Sequence, residues 1–354
     1  MTDERDDKIA DYLWDPASPA DPGVEAIEAR LLPLRFEPAT RPLLLPRPAR
    51  PVGGTHRARW ALAAAALLVA ASAGWLQWRF TWPAGRGWEI STPVSSRLSR
   101  LEVGATLELP AADPAGLPTV INVARIGTMT VAGGSRVTLQ STQGTRHRLQ
   151  MDAGEAHFRV WAPPRSVAIQ TPAGEVIDFG CEFDLRVEQD MTRVDVRSGW
   201  IQLDNTVGEV LVPEGAASEM RRGVRPGVPV FNSATAAFRT AVRQLEQPGL
   251  DRSGPDRSGP DRSGNDASIQ TVVQDARVED MLTLLLLVER QSAGADRIAA
   301  RAAELSPPPR DVTVGQVLRG DRDGLWRWRD TLPLPPPKGW LRNWQDALPR
   351  WLGK

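Results

Sequence analysis

Between Trp60 and Leu76 the chain stops alternating: WALAAAALLVAASAGWL runs seventeen residues with no charge and no proline. At about 1.5 Å per residue this covers roughly 25 Å, and continuing the helix through Phe80 reaches the ~30 Å of a bilayer core. The pattern predicts one membrane-spanning helix over 60–80, with Trp60, Leu67, Leu68 and Leu76 in the span. Trp60, Trp75, Trp78 and Trp82 sit at its ends, where amphipathic rings prefer to lie, and Gln77 and Arg79 are placed to snorkel. A signal peptide starts with a short charged region, whereas 59 residues precede this run. Arg41, Arg47, Arg50, Arg57 and Arg59 outweigh Arg79, Arg86 and Arg97 across the span, which predicts a cytoplasmic amino terminus and an exported carboxy-terminal portion.

Ahead of the span, Ile9, Leu13 and Trp14 recur at helical spacing behind an acidic first turn, and Val24, Ile27 and Leu31 mark a second short helix. Residues 1–37 form a head whose narrow apolar stripes bury little alone, the pattern either of a segment that folds against a cytoplasmic partner or of a disordered tail. Those six apolar residues are its expected contact surface. Residues 38–59 form a Pro- and Arg-rich linker.

Beyond the span the period changes to two. From about 89 to 222 short runs rich in Val, Ile and Leu are punctuated by glycine, which predicts a β domain of many short strands, a sandwich, barrel or solenoid. RHRLQM and EAHFRVW flank Asp152, Ala153 and Gly154 as an expected hairpin, pairing Met151 with Ala156, Leu149 with Phe158 and His147 with Val160. In FGCEFDLRV, Phe179, Cys181, Phe183, Leu185 and Val187 fall on one face, with Glu182, Asp184 and Arg186 on the other.

Three stretches of this region, GEAHFRV, TPAGEVIDFGCEFDL and VDVRSGWIQL, resemble the FecR domain, named for the iron-dicitrate transport regulator. The family pattern reads roughly G-x-A-x-F-x-V, a threonine and glycine before a valine, G-T-x-F-x-V, and V-x-V-x-x-G-x-V. It maps onto Gly154, Ala156, Phe158, Val160, Thr171, Gly174, Gly180, Cys181, Phe183 and Gly199. These motifs are structural rather than catalytic. The resemblance implies a single-pass inner-membrane signalling regulator. Its periplasmic, solenoid-like β domain senses a ligand or envelope partner, and its cytoplasmic head modulates an extracytoplasmic-function sigma factor. Cys181 replaces the usual threonine, and the head has no Cys and no His before His56, so the zinc-binding anti-sigma motif is absent. The carboxy-terminal part does not read like the small receptor-docking domain of the iron regulators. These departures keep a second class open, a membrane-tethered binding or scaffold module without transcriptional output.

Three tandem units, DRSGP, DRSGP and DRSGN, read as a flexible linker over 248–266. Residues 268–354 then read as a helical domain. Val278, Met281, Leu282, Leu285 and Val288 form one apolar face, ADRIAARAAEL a second helix, and two more lie near DRDGLWRWRDTL and GWLRNWQDALPRWL. In the last, Trp340, Leu341, Trp344, Leu348 and Trp351 beside Lys338, Arg342, Arg350 and Lys354 either pack on the Met281–Val288 helix or lie on an anionic membrane.

Composition narrows the chemistry. Formal net charge is zero and the arginines are dispersed, so no direct nucleic-acid binding is expected. The lone Cys181 excludes an intramolecular disulfide, and without a neighbouring catalytic His it reads as a small buried hydrophobe of low reactivity. His147 and His157 fall on opposite faces of the expected hairpin, His147 hydrogen-bonded at the core edge and His157 solvated, so no metal and no cofactor is expected. Glu182 and Asp184 read as an ordinary wet sheet face, and the chain has no phosphate loop, serine elbow or metalloprotease helix. The expectation is a non-enzymatic protein whose partners are proteins and the membrane.

Overall fold

A computed structural model of the chain describes residues 22–34, 55–91, 99–111, 118–246 and 261–335. Ile9, Leu13 and Trp14 of the head, most of the repeat linker and the Trp340–Trp351 segment lie outside them. The chain divides into two compact units between Leu68 and Val69. The first contributes the helix Pro22–Leu31, on which no residue is buried and where Ile27 and Leu31 are 58% and 54% exposed. A 26-residue helix, Thr55–Phe80, carries the apolar run, and its Trp60–Phe80 stretch is long and apolar enough to cross a membrane.

Among the described residues fifteen strands follow: β1 (Trp88–Glu89), β2 (Arg100–Leu101), β3 (Thr106–Glu108), β4 (Thr119–Val123), β5 (Gly127–Val131), β6 (Arg136–Gln143), β7 (Arg146–Val160), β8 (Val167–Thr171), β9 (Gly174–Asp178), β10 (Glu182–Val187), β11 (Met191–Ser198), β12 (Trp200–Asn205), β13 (Gly208–Pro213), β14 (Ala216–Arg221) and β15 (Val230–Phe231). Strands β1 and β2 pair with each other, and the other thirteen form one sheet. The sheet is organised by β7, fifteen residues long. Its first half pairs β6 and, in parallel, β8; its second half pairs β5 and β10. One arm therefore reads β3-β6-β7-β8-β9-β12-β13 and the other β4-β5-β7-β10-β11-β14-β15. The sheet curls as a half-barrel around one apolar core fed by both arms. Every pairing except β7 with β8 is antiparallel, so the domain follows the sandwich or barrel alternative rather than a solenoid of stacked parallel coils.

The hairpin expected at Asp152–Gly154 is not formed; the chain runs straight on through β7. Arg136 opposes Ala153 but Val137 opposes Met151, which leaves Asp152 as an extra residue in a β-bulge. The bulge shifts the inward parity by one: His147, Leu149 and Met151 face the core before it, Ala156, Phe158 and Val160 after it. Leu149 pairs with Leu139, and Phe158 pairs with Met129 and Phe183, not with Leu149. Gly154 takes φ +102°, and a Cβ there would collide with Ser135, whose hydroxyl accepts from Glu155 N at 3.1 Å. FGCEFDLRV is likewise not one strand. The chain bends at Phe179 and Gly180 between β9 and β10, so Asp178 is buried and Phe179 only half-buried.

The helical domain starts earlier than the repeats suggest. Its core includes Val228 and, on the helix Ala236–Glu246, Phe238, Ala241, Val242 and Leu245. The last repeat unit opens the helix Asp261–Asp275 instead of remaining linker, and that helix buries Ile269 and Val272. Val278 lies in a 3₁₀ turn and is 43% exposed. The helix Met281–Glu289 behind it is buried nearly all round rather than along a stripe. Helices Ala295–Leu305, Val314–Leu318 and Arg322–Asp330 follow, with Trp328 fully buried.

His147 is 1% exposed and lies edge-on to Trp88 at 5.8 Å. Neither ring nitrogen finds a hydrogen bond among the described residues, unlike the bonded histidine expected at the core edge. Burial lowers its pKa from 6.5 to about 4. The folded chain thus refuses a proton that the unfolded chain accepts, so stability is fully present above pH 6.5 and falls as the pH drops toward 4. His147→Leu is expected to remove about 2–3 kcal/mol of the stability lost between about pH 7 and pH 4.5, read as a smaller shift in Tm. An unchanged shift would contradict a neutral buried imidazole.

Candidate functional site at the helix and β domain joint

A helix that ends in solvent or at an interface leaves its last carbonyls unsatisfied and its dipole uncompensated. Here the β domain supplies the missing donor. The tight turn between β4 and β5 forces Ala124 to φ +48° and presents Arg125 at its tip. Arg125 Nη1 donates to Trp78 O at 2.7 Å and to Thr81 O at 3.1 Å. Its guanidinium also lies 4.1 Å from the centroid of the Trp78 ring and 5.3 Å from that of Trp82.

Trp161, which follows β7, forms the other side of the joint. Its ring stacks with Phe80 at 5.6 Å and lies 6.1 Å from Trp75, with the Arg79 guanidinium 4.7 Å above it. Trp161 N donates to Ile126 O at 2.7 Å, which fixes this wall to the turn bearing Arg125. The segment after the helix is held too: Gly144 N donates to Trp82 O at 3.0 Å, and Thr142 Oγ1 to Arg86 O at 3.0 Å. The β4–β5 turn and the helix end are therefore joined by hydrogen bonds and packed rings. Sequence reasoning placed Trp75, Trp78, Trp82 and Arg79 at a lipid interface but missed Arg125 and Trp161. The available signal was an arginine at the apex between VINV and GTMTV.

The other expected site residues fall as follows. On the apolar helix Trp60, Leu67 and Leu68 are exposed and Leu76 is half-buried. In the head Val24 is half-buried, while Ile27 and Leu31 are exposed. The motif positions are brought together around the core. Phe158 and Phe183 stack with centroids 4.9 Å apart and planes 4° from parallel, between Ala156 and Val160 on β7 and Cys181 at the start of the β10 arm. Thr171 Oγ1 donates to Gly174 O and accepts from Thr192 Oγ1 at 2.7 Å, closing the β8–β9 turn. Gly199 takes φ +81° where a Cβ would come 3.0 Å from Cys181 Cβ, so its lack of a side chain lets the β11–β12 corner close over the Gly180–Cys181 bend. Cys181 is fully buried, its thiol and its backbone N–H both directed at the buried Asp178 carboxylate.

His157 is not simply solvated. Nδ1 bonds Asp184 Oδ1 at 2.9 Å, and Glu182 Oε1 lies 3.1 Å from Nε2 without forming a hydrogen bond. Arg197 Nε also donates to Asp184, at 2.6 Å, so the carboxylates expected on the wet face are engaged across strands. His147 and His157, ten residues apart along one strand instead of across a hairpin, are separated by roughly 33 Å at about 3.3 Å per residue. Among the described residues no group of three metal-ligating side chains comes together.

Residues 124–202 match the family model described as FecR protein, so this stretch carries a FecR domain. Its span opens at Ala124, beside the arginine that caps the helix, and closes within β12. Two solved structures of a candidate anti-sigma factor from Parabacteroides distasonis ATCC 8503 are similar at low identity. One is 16% identical with a TM-score of 0.30, covering 40% of this chain and 65% of that one. The other is 15% identical with a TM-score of 0.29, covering 40% and 64%. The chain thus spans less than two thirds of either structure. No curated protein matches it.

Arg125→Ala is expected to destabilise the chain by about 1–2 kcal/mol and to speed proteolysis between residues 81 and 87. Arg125→Lys, which keeps the charge and loses the planar guanidinium over the Trp78 and Trp82 rings, should lie between. An Arg125→Ala chain that melts and is cut like the wild type would show that the cap does not hold the joint.

Proposed function

We propose that the chain is a non-enzymatic, single-pass signalling regulator of the inner membrane. Its β domain takes up a signal on the periplasmic side, and its head, residues 1–37, modulates an extracytoplasmic-function sigma factor in the cytoplasm. What carries the reading is the FecR match at 124–202 beginning at the very turn that caps a helix long enough to span a bilayer. In that arrangement the sensing domain and the membrane element share a joint, and a change at the β4–β5 turn has a physical route to the helix. The arginine excess before Trp60 supports a cytoplasmic head, and the exposure of Ile27 and Leu31 leaves part of the expected contact surface open to a protein partner.

The tethered binding module is the second reading. A strongly basic cleft outside the joint favours it, because such a cleft gives the exported portion something to hold whether or not the head signals.

The readings separate at the head. Cross-linking in cells followed by purification of the full chain should recover a sigma factor. Ile9→Ala combined with Leu13→Ala should reduce that recovery by about tenfold or more, in keeping with loss of two apolar anchors from a small interface. Recovery of no sigma factor with the wild-type chain would reduce the head to a tether.

A further inference from the structure

Between β14, β15 and the helix Ala236–Glu246 lies an open cleft of about 630 Å³, within the usual size of small-molecule sites. Five arginines line it: Arg193 on β11, Arg221 on β14, Arg225 on the following segment, and Arg239 and Arg243 on the helix. Two carboxylates, Glu219 and Glu246, also line it, and both are already engaged. Glu219 lies 2.9 Å from Arg193 and 4.0 Å from Arg221. Glu246 pairs with Arg290 behind the cleft and accepts from Val228 N at 2.7 Å. Among the described residues no carboxylate comes within ion-pair distance of Arg225, Arg239 or Arg243. The chain as a whole is neutral, so this excess is local.

The helix cannot turn these charges away. Phe238, Ala241, Val242 and Leu245 lock its opposite face into the helical core, which leaves Ala236, Arg239, Thr240 and Arg243 along the cleft. Ala217, Val228 and Val230 give the cleft an apolar lining that strengthens charge interactions within it. Guanidinium groups gathered in this way repel one another until a multivalent anion enters, and their planar forks match carboxylate and phosphate oxygens two at a time.

We propose that this cleft binds a small ligand carrying two or more carboxylate or phosphate groups. The ligand bridges the β14 edge to the helix Ala236–Glu246 and so ties the β domain to the helical domain. The inference stands apart from the sigma-factor reading and holds for a tethered binding module equally.

Titration calorimetry on the detergent-purified full chain tests it, with inorganic pyrophosphate and propane-1,2,3-tricarboxylate as probes and acetate as the singly charged control. At least one multivalent probe should bind saturably and more weakly as salt is raised, and which one binds assigns phosphate or carboxylate chemistry. Arg239→Gln with Arg243→Gln should lower its affinity by about tenfold or more at an unchanged Tm. Arg225→Gln, off the helix, is the second variant should the pair of substitutions shift Tm. The proposal is overturned if neither multivalent probe binds, if acetate binds as tightly, or if binding survives in the variants.

Discussion

The last turn of an apolar helix has carbonyls that nothing within the helix can satisfy, and in this chain the donor comes from a neighbouring domain. Arg125 reaches Trp78 O of that turn and Thr81 O just beyond it from the tip of the β4–β5 turn and covers the Trp78 ring at the same time. Because β4 and β5 are bonded through β7 to both arms of the sheet, fixing this turn on the helix end fixes the β domain there. A ball-and-chain attachment would need a run of glycine or serine after Phe80. The chain has TWPAGRGW instead, tied down by Trp82, Gly85 and Arg86 against the β6–β7 turn.

The second constraint is β7. A strand with one half in each arm must reverse which parity faces the core, and a single extra residue at Asp152 does this while Gly154 admits Ser135. Stacked Phe158 and Phe183 then sit where one arm passes through the core, with the helical domain joined further on through Trp200 Nε1 to Pro335 O at 3.0 Å and Thr283 Oγ1 to Pro229 O at 2.7 Å.

Much of this is legible in the residue pattern, and the gaps have physical causes. The apolar span, the β character of 89–222, the inward set Leu149, Met151, Phe158, Phe183 and Leu185, and the FecR motifs can all be read without coordinates. The parity switch at Asp152 is visible too, but a two-residue turn and a bulge leave the same local trace. Only the partners β5, β6 and β10, distant in sequence, decide between them. The alternation of FGCEFDLRV assigns Phe179 to the core, but Asp178 is buried instead because the Gly180 bend resets the alternation. The stripe Phe238, Ala241, Val242 and Leu245 is helical on its face. Its partners lie beyond the polar repeats, though, and a composition break suggests a domain boundary that the packing does not respect. Arg125 had no periodicity to reveal it, since a cap is a contact between elements and not a property of either.

A capped joint requires the helix end and the β domain to move as one body. The one native cysteine is fully buried, so spin labels can be placed at Ser72→Cys on the exposed helix face and Ser141→Cys on the exposed side of β6. Double electron–electron resonance on the full chain in lipid nanodiscs then reads the distance between them. A single narrow distribution is the predicted result; a broad one in the otherwise native chain would contradict a fixed joint and with it the proposed route from β domain to apolar helix.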